Sequence, residues 1–174
     1  MMDSDEIIDL VDDSDVVIGT KSRDEAYSEG LNNIHVVNGF VVNSKGELWI
    51  PRRTADKRLY PLGLDVSIGG HIGAGETYED AFVRETAEEL NLDLDRIPYR
   101  LIGYFNRKEH GVHCFQKVYE IKLDEEPDYN KDDFIEAYWL KPQEVIDRIA
   151  AGDKYKDDLP ILINLLYLNK KEAS

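Results

Sequence analysis

Basic charge is scarce in this chain: 21 Lys and Arg stand against 36 Asp and Glu, a formal net charge of −15 over 174 residues. That balance removes the basic footprint through which proteins grip a phosphate backbone, so no nucleic acid polymer is expected as a partner. It also requires that any small anionic substrate be met by local cations, whether basic side chains or bound metal. Cysteine is nearly absent too. Cys114 alone excludes an internal disulfide framework, fits a reducing cytoplasmic setting, and is expected to be a small core residue. No run approaches the roughly 20 apolar residues of a membrane helix, so no membrane partner is expected. The opening "MMDSDEIIDLVDD" is acidic where targeting peptides are basic. What is present, 42% hydrophobic and 33% charged residues, describes a soluble globular chain. At this length it reads as one domain over 1–174, with 1–32 as an N-terminal extension of hairpin and short helix.

No internal repeat, low-complexity segment or long linker interrupts it. "EIIDLVDDSDVVIGTKS" reads as two apolar runs around a turn, a hairpin, and "RDEAYSEGL" as a short helix stopped by Gly30. "IHVVNGFVVNSKGELWIPRR" is the clearest β-hairpin, with "NSKG" as its turn. A loop, "TADKRLYPLGLD", and a short strand, "VSIGGHI", follow. "YRLIGYFNRKEHGVHCFQKVYEIKLD" reads as strand, turn and strand. "EAYWL" is a further strand, "PQEVIDRIAAG" a helix with Pro142 near its start, and "LPILINLLYLNKK" a closing helix. Strands interleaved with a few helices predict an α+β fold, a mixed sheet with helices on its faces.

The chemistry concentrates in "GAGETYEDAFVRETAEEL". Thr77 is the expected N-cap of a helix from about Tyr78 to Leu90, with Asn91 as a left-handed C-cap. At 100° per residue from Ala81, the residues Phe82, Val83, Thr86, Ala87 and Leu90 fill an arc from about 100° to 240°. Glu85, Glu88 and Glu89 fall between about −20° and 80°, an acidic patch predicted opposite the buried side. Like charges at this spacing repel, and Arg84 is the one basic residue of the helix that offsets them. The glycine-rich "IGGHIGAGE" leads directly into it and allows close backbone approach to a ligand. A solvated acidic face is the plain alternative; a bound cation is the other.

Gly70, five residues, Glu76, seven residues, Arg84-Glu85, two residues and Glu88-Glu89 resemble the signature of the Nudix hydrolases. Six fixed positions at average residue frequencies arise by chance less than about once in a million windows. Thr86 and Asn91 depart from it, standing where the family has a bulky aliphatic and a glycine. The resemblance implies the Nudix fold, an α/β/α sandwich with a glycine-loop–helix metal site, and water attacking a diphosphate linkage of a small molecule. It implies Mg²⁺ or Mn²⁺ as cofactor, hard cations that take oxygen ligands. Glu85 and Glu89 are the first ligands it implies, joined by Glu88 and a backbone carbonyl at Gly69 or Gly70. Arg84 would orient a glutamate, Glu76 would brace the loop, and Glu85 or Glu88 would accept the water's proton.

In its flanks the chain is similar to the branch that includes isopentenyl-diphosphate isomerase. "IPRRTADKRLYP" matches that branch's basic segment and places Arg53 and Lys57 where the isomerase holds a diphosphate. Gly69 stands in the place of the isomerase's catalytic cysteine, which argues against isomerase activity. His71 stands where the isomerase has a metal-binding histidine, with a hydrogen-bonded structural role as the alternative, and His35 lies near another such position. His113 falls near the later strand from which the isomerase draws carboxylates. "EHGVHC" carries too few ligands for a zinc site. Tyr60, Tyr104, Phe105 and Trp139 are expected in core or rim packing, with stacking on a flat substrate group as the alternative. A diphosphate hydrolase is therefore expected, beside two alternatives: an isomerase-like enzyme, and a diphosphate-binding module without turnover. An exposed N-terminal hairpin edge makes a homodimer an expectation as well.

Overall fold

The computed structural model describes residues 6–169. The chain opens with an antiparallel hairpin, β1 (Ile7–Val11) and β2 (Val17–Ser22), which forms a sheet of its own. Asp12 closes the turn by accepting from the amides of Ser14 and Val16 at 2.8 and 3.0 Å. α1 (Arg23–Ser28) follows, capped by Ser22, whose side chain accepts from the Glu25 amide. Ile8, Ala26, Ile34 and Cys114 pack together beneath this extension, so the one thiol is a core residue.

The main sheet has six strands: β3 (His35–Val42), β4 (Leu48–Arg53), β5 (Ile68–His71), β6 (Tyr99–Phe105), β7 (Phe115–Lys122) and β8 (Phe134–Leu140). Its order is β6-β7-β3-β4-β8, with β5 also pairing with β3. The β3–β7 pair is parallel and the rest antiparallel, which makes the sheet mixed. The expected β3–β4 hairpin is real but short, registered at Val42↔Leu48. Beyond that point the two strands part, and β5 pairs with the first half of β3, from Val36↔His71 to Gly39↔Ile68. This parting brings the glycine strand to the middle of the fold.

Helices cover both faces. α2 (Tyr78–Leu90) packs Phe82 and Leu90 against Val37, Val41, Ile68 and Tyr119. On the other face, α4 (Pro142–Ala150) and α5 (Asp158–Ile163) bring Val145, Leu159 and Leu162 onto Phe40, Leu48, Ile50 and Val118. The layers are those of an α/β/α sandwich, and Pro142 begins α4 as expected. No helix among the described residues is long and apolar enough to cross a membrane.

Three local expectations need correction. The segment read as strand, turn and strand contains a short helix, α3 (Arg107–His110), capped by Asn106 and ended by Gly111 at φ 76°. The closing helix is α5 followed by a π-helical turn, Asn164–Leu168, and residues 170–171 lie outside the described residues. The buried arc of α2 is turned relative to the helical-wheel expectation. Ala81 is buried while Val83 and Ala87 are exposed. The helix is seated on Phe82, which stacks on Tyr119 with centroids 4.6 Å apart. That rotation carries Glu85 and Glu89 inward.

Candidate active site

α2 is fixed at both ends. Thr77 and Asp80 form a reciprocal capping box at 3.0 and 3.2 Å, and Asn91 ends the helix at φ 54° while its side chain donates to the Asp128 carbonyl at 2.5 Å. The Glu85 side chain then lies directly on β5. A Cβ at position 70 would stand 2.2 Å from Cδ and Oε1 of Glu85, so this seat exists because residue 70 is glycine. One residue earlier, the Gly69 amide donates to Glu89 Oε1 at 3.0 Å.

Arg84 ties the loop to the helix. Its Nε and Nη2 donate to the two oxygens of Glu76 at 2.8 Å each, a bidentate pair, and Nη1 donates to Glu85 Oε1 at 2.8 Å. Nη2 also reaches the His71 carbonyl at 3.2 Å. Glu76 Oε1 accepts from the Gly73 amide at 2.7 Å, which closes the loop back on itself. Glu88 is more loosely held, 3.5 Å from Arg84 Nη1 and 58% exposed, against 12% for Glu85.

The electrostatics follow from this geometry. The Arg84 hydrogen bonds hold Glu76 below the usual carboxylate range. Burial outweighs the same arginine at Glu85 and pushes its pKa up to about 7, with Glu88 adding to the rise. Glu89 is pushed well above the usual range by burial and then by the Glu85 charge, despite the Gly69 amide. Two half-buried carboxylates side by side thus resist ionisation together. Among the described residues, no three His, Cys, Asp or Glu side chains converge as a metal cage. The inward set is the Glu85–Glu89 pair, with Glu88 at its outer edge.

The other residues singled out in the sequence divide between this site and its surroundings. Arg53 Nη1 pairs with Asp65 at 2.7 Å and Lys57 with Asp133 at 2.8 Å. Both acids lie close enough to Glu89 to raise its proton affinity, so both cations border the site. His71 is buried, and its Nε2 lies 2.8 Å from the Tyr27 hydroxyl. Burial, then Arg23 and Lys156, lower its pKa to about 3, which keeps the ring neutral. His35 sits elsewhere, its ring nitrogens 3.0 and 3.3 Å from Asp15 and Asp9. His113 is exposed and joins Asp158 through its backbone amide. Of the aromatics, Phe105 and Trp139 pack against the two cores, while Tyr60 and Tyr104 donate to Asp157 and Asp15. Asp65, Asp133 and Lys156 escaped sequence reading, because no local spacing links them to the glutamate helix.

A family model, the NUDIX domain, matches residues 33–162. The chain belongs to the Nudix family. It is 57% identical over 97% of its length to an uncharacterized Nudix hydrolase of Nostoc sp., all of which is covered. A Nudix hydrolase of Deinococcus radiodurans is 42% identical, with 94% of this chain and 95% of that one covered. A crystal structure of a D. radiodurans protein superposes with a TM-score of 0.89 at 41% identity, covering 93% of this chain and 99% of the other. The isopentenyl-diphosphate Delta-isomerase of Brevibacterium linens is a more distant relative, 29% identical with 84% of this chain and 83% of the isomerase covered. The Nudix fold and membership of the Nudix hydrolases therefore stand, with isomerases as outlying kin.

Proposed function

We propose that this Nudix hydrolase cleaves a diphosphate linkage in a small molecule and uses Mg²⁺ or Mn²⁺ to do so. One observation supports the reading: Glu85 and Glu89 stand half-buried side by side against Gly69 and Gly70, where both resist ionisation unless a cation joins them. The donor set fits a hard divalent ion, since Mg²⁺ commonly takes one or two carboxylates and completes its shell with substrate phosphate and water. Glu85 and Glu89 would hold it, with Glu88 and the Gly69 carbonyl at the margin. Bound there, the ion would supply polarisation of phosphoryl oxygens and a lowered pKa for the attacking water.

The chain's own groups do the rest. Arg84 keeps Glu85 on the strand, and Glu76 keeps Arg84 in place. Arg53 and Lys57, beside Glu89 through Asp65 and Asp133, are the cations placed to meet the diphosphate. Two carboxylates are candidates to take the water's proton: Glu85, whose proton affinity sits near neutrality, and Glu88, which is exposed and only loosely paired with Arg84. The isomerase alternative loses further ground, because the chain's single thiol is enclosed by Ile8, Ala26 and Ile34 and cannot stand in for the cysteine missing at Gly69.

The test is product release from a panel of nucleoside diphosphate derivatives and small diphosphates with Mg²⁺, comparing wild type, Glu89→Gln and a chelator control. Turnover lost in both controls is the expected result. Turnover undiminished in Glu89→Gln would defeat the proposal, and metal-dependent binding without turnover would favour the binding-module alternative.

A further inference from the structure

Residues 6–32 precede the part of the chain matched by the family model, yet their hairpin lies against the loop, 72–77, that feeds α2. On the edge of β1 away from β2, the Ile7 carbonyl accepts from the Ala74 amide at 3.1 Å, and Ile8 bridges to Gly73. The Gly73 amide in turn donates to Glu76, Glu76 holds Arg84, and Arg84 holds Glu85. A two-stranded hairpin is marginal in water by itself, so β1 keeps its place beside the loop only through its anchors. Ile8 and Val11 are buried, while Val16, Val17 and Ile18 stand exposed.

A polar anchor stands in the hairpin turn. Asp15 sits there at φ 62°, a left-handed conformation that Asp tolerates better than most residues. Its carboxylate, 6% exposed, enters a socket made by three elements of the matched domain. Tyr78, the first residue of α2, and Tyr104, on β6, donate their hydroxyls to Oδ2 at 2.5 and 2.6 Å. His35, at the start of β3, places Nδ1 3.0 Å from Oδ1, and its Nε2 lies 3.3 Å from Asp9 of β1. Lys117 stands over the Tyr78 and Tyr104 rings, 4.9 and 5.4 Å from their centroids. Burial opposes the Asp15 charge, but the hydrogen bonds from His35, Tyr104 and Tyr78 outweigh it and hold its pKa below the usual carboxylate range. The His35 carbonyl also accepts the Ile72 amide at 3.4 Å. One residue therefore holds the hairpin by its side chain and the catalytic loop by its backbone.

We propose that the N-terminal hairpin is a clasp on the catalytic loop and that Asp15 is its latch, a positioning residue for Glu85. With Asp15 seated, β1 backs Gly73 and Ala74, and the chain from Glu76 through Arg84 to Glu85 keeps its geometry. With Asp15 released, the hairpin lifts at its turn and the loop loses that backing. The effect on turnover rests on the role given to Glu85 above, whereas the clasp itself is a property of the folded chain without substrate.

The test compares wild type with two latch variants and one control. Asp15→Asn keeps the side chain's size and its tolerance of the turn and removes the charge; the milder Tyr104→Phe removes one hydroxyl from a ring that is 47% exposed. Ile163→Val, in the core on the opposite face of the sheet, controls for general destabilisation. Amide hydrogen exchange resolved by residue is the first readout. The Ala74 amide should exchange about tenfold or more faster in Asp15→Asn, by a smaller factor in Tyr104→Phe, and at the wild-type rate in Ile163→Val. Turnover of a small diphosphate with Mg²⁺ is the second. Asp15→Asn should lower kcat by about tenfold or more and leave KM within about threefold, because the catalytic loop is displaced and the substrate contacts are not. Ile163→Val should keep its kcat. Unchanged Ala74 exchange in both latch variants, the same acceleration in Ile163→Val, or a faster loop with kcat intact overturns the clasp. If no diphosphate turns over, the proposed function fails by itself, and exchange at Ala74 alone decides the clasp.

Discussion

Replacing Gly70 with alanine tests the site at a single atom. The new Cβ would stand 2.2 Å from Cδ and Oε1 of Glu85 and 2.6 Å from its Cγ, against the roughly 3.5–4 Å at which unbonded carbons rest. Something must move by more than about 1 Å. The helix is poorly placed to yield, since Phe82 is stacked on Tyr119 and both ends are capped. The Glu85 side chain therefore swings off the strand and gives up its 2.8 Å bond from Arg84. Overpacking of this kind costs about 2 kcal/mol, and in a domain of this size that lowers the melting temperature by about 4–8 °C. Activity should fall much further, because misplacing a catalytic element by about 1 Å costs on the order of 100-fold. Gly19→Ala is the matched control: its Cβ would meet nothing within 4 Å, and its stability should stay within about 0.5 kcal/mol of wild type. The assay is kcat at saturating Mg²⁺ beside a thermal melt for each variant. A Gly70→Ala enzyme with kcat within about threefold of wild type would refute the claim that Glu85 works from its seat on the strand.

Glu89→Gln removes one of two carboxylates that oppose each other's ionisation and keeps an oxygen for the Gly69 amide. Without metal it should melt no lower than wild type, while the rise on adding Mg²⁺ shrinks; equal Mg²⁺ shifts in the two proteins would contradict this. His71 is held neutral with its pKa lowered to about 3, so below the ordinary value near 6.5 the unfolded chain takes up a proton that the folded protein refuses. Its contribution is complete above that pH and declines as pH falls toward 3, reaching a loss of about 2 kcal/mol at pH 5. His71→Gln should flatten the fall of melting temperature between about pH 7 and 5, and an unchanged slope would count against the argument. Arg53→Ala strands the buried Asp65, with Lys156 at 3.7 Å as its remaining cation. It should destabilise by about 3 kcal/mol. Lys57→Ala breaks a more exposed pair, so its stability should change by less than about 1 kcal/mol while KM for a diphosphate rises. An unchanged KM would remove Lys57 from the substrate contacts.

Much of the fold was legible because its signals are local. The turn "NSKG", the Thr77 cap, the Asn91 stop and Pro142 each mark an element boundary within a few residues, and each boundary lies close to where it was expected. The orientation of α2 was not legible to the same degree. A helical wheel ranks residues by polarity, and it turned Val83 and Ala87 inward and the glutamates outward. The stacking of Phe82 on Tyr119, 37 residues further on, decides the rotation instead. The glutamates themselves were visible as a spaced pattern, whereas Asp65, Asp133 and Lys156 reach the site from separate loops and strands. No spacing rule connects residues that only the parting of β3 and β4 brings together.

The charge balance of the site ties metal and substrate together. Among the described residues, seven carboxylates, Glu6, Glu76, Glu85, Glu88, Glu89, Asp65 and Asp133, and five cations, Arg23, Arg84, Arg53, Lys57 and Lys156, act on the glycine strand and its glutamates. Each cation already has a carboxylate partner, and the two acids left in excess are matched in sign and size by one divalent ion. A diphosphate brings further negative charge into a protein that already carries −15. It can draw on Arg53 or Lys57 only by loosening Asp65 or Asp133, which stand beside Glu89. Freeing those acids raises the local demand for positive charge, and a bound divalent ion is the component that would supply it. Substrate and ion should therefore bind with positive coupling, each lowering the cost of the other. On the proposed function, the same reasoning explains how a chain so poor in basic residues would meet an anionic substrate: its cations are few, but each one named here has an acid beside it.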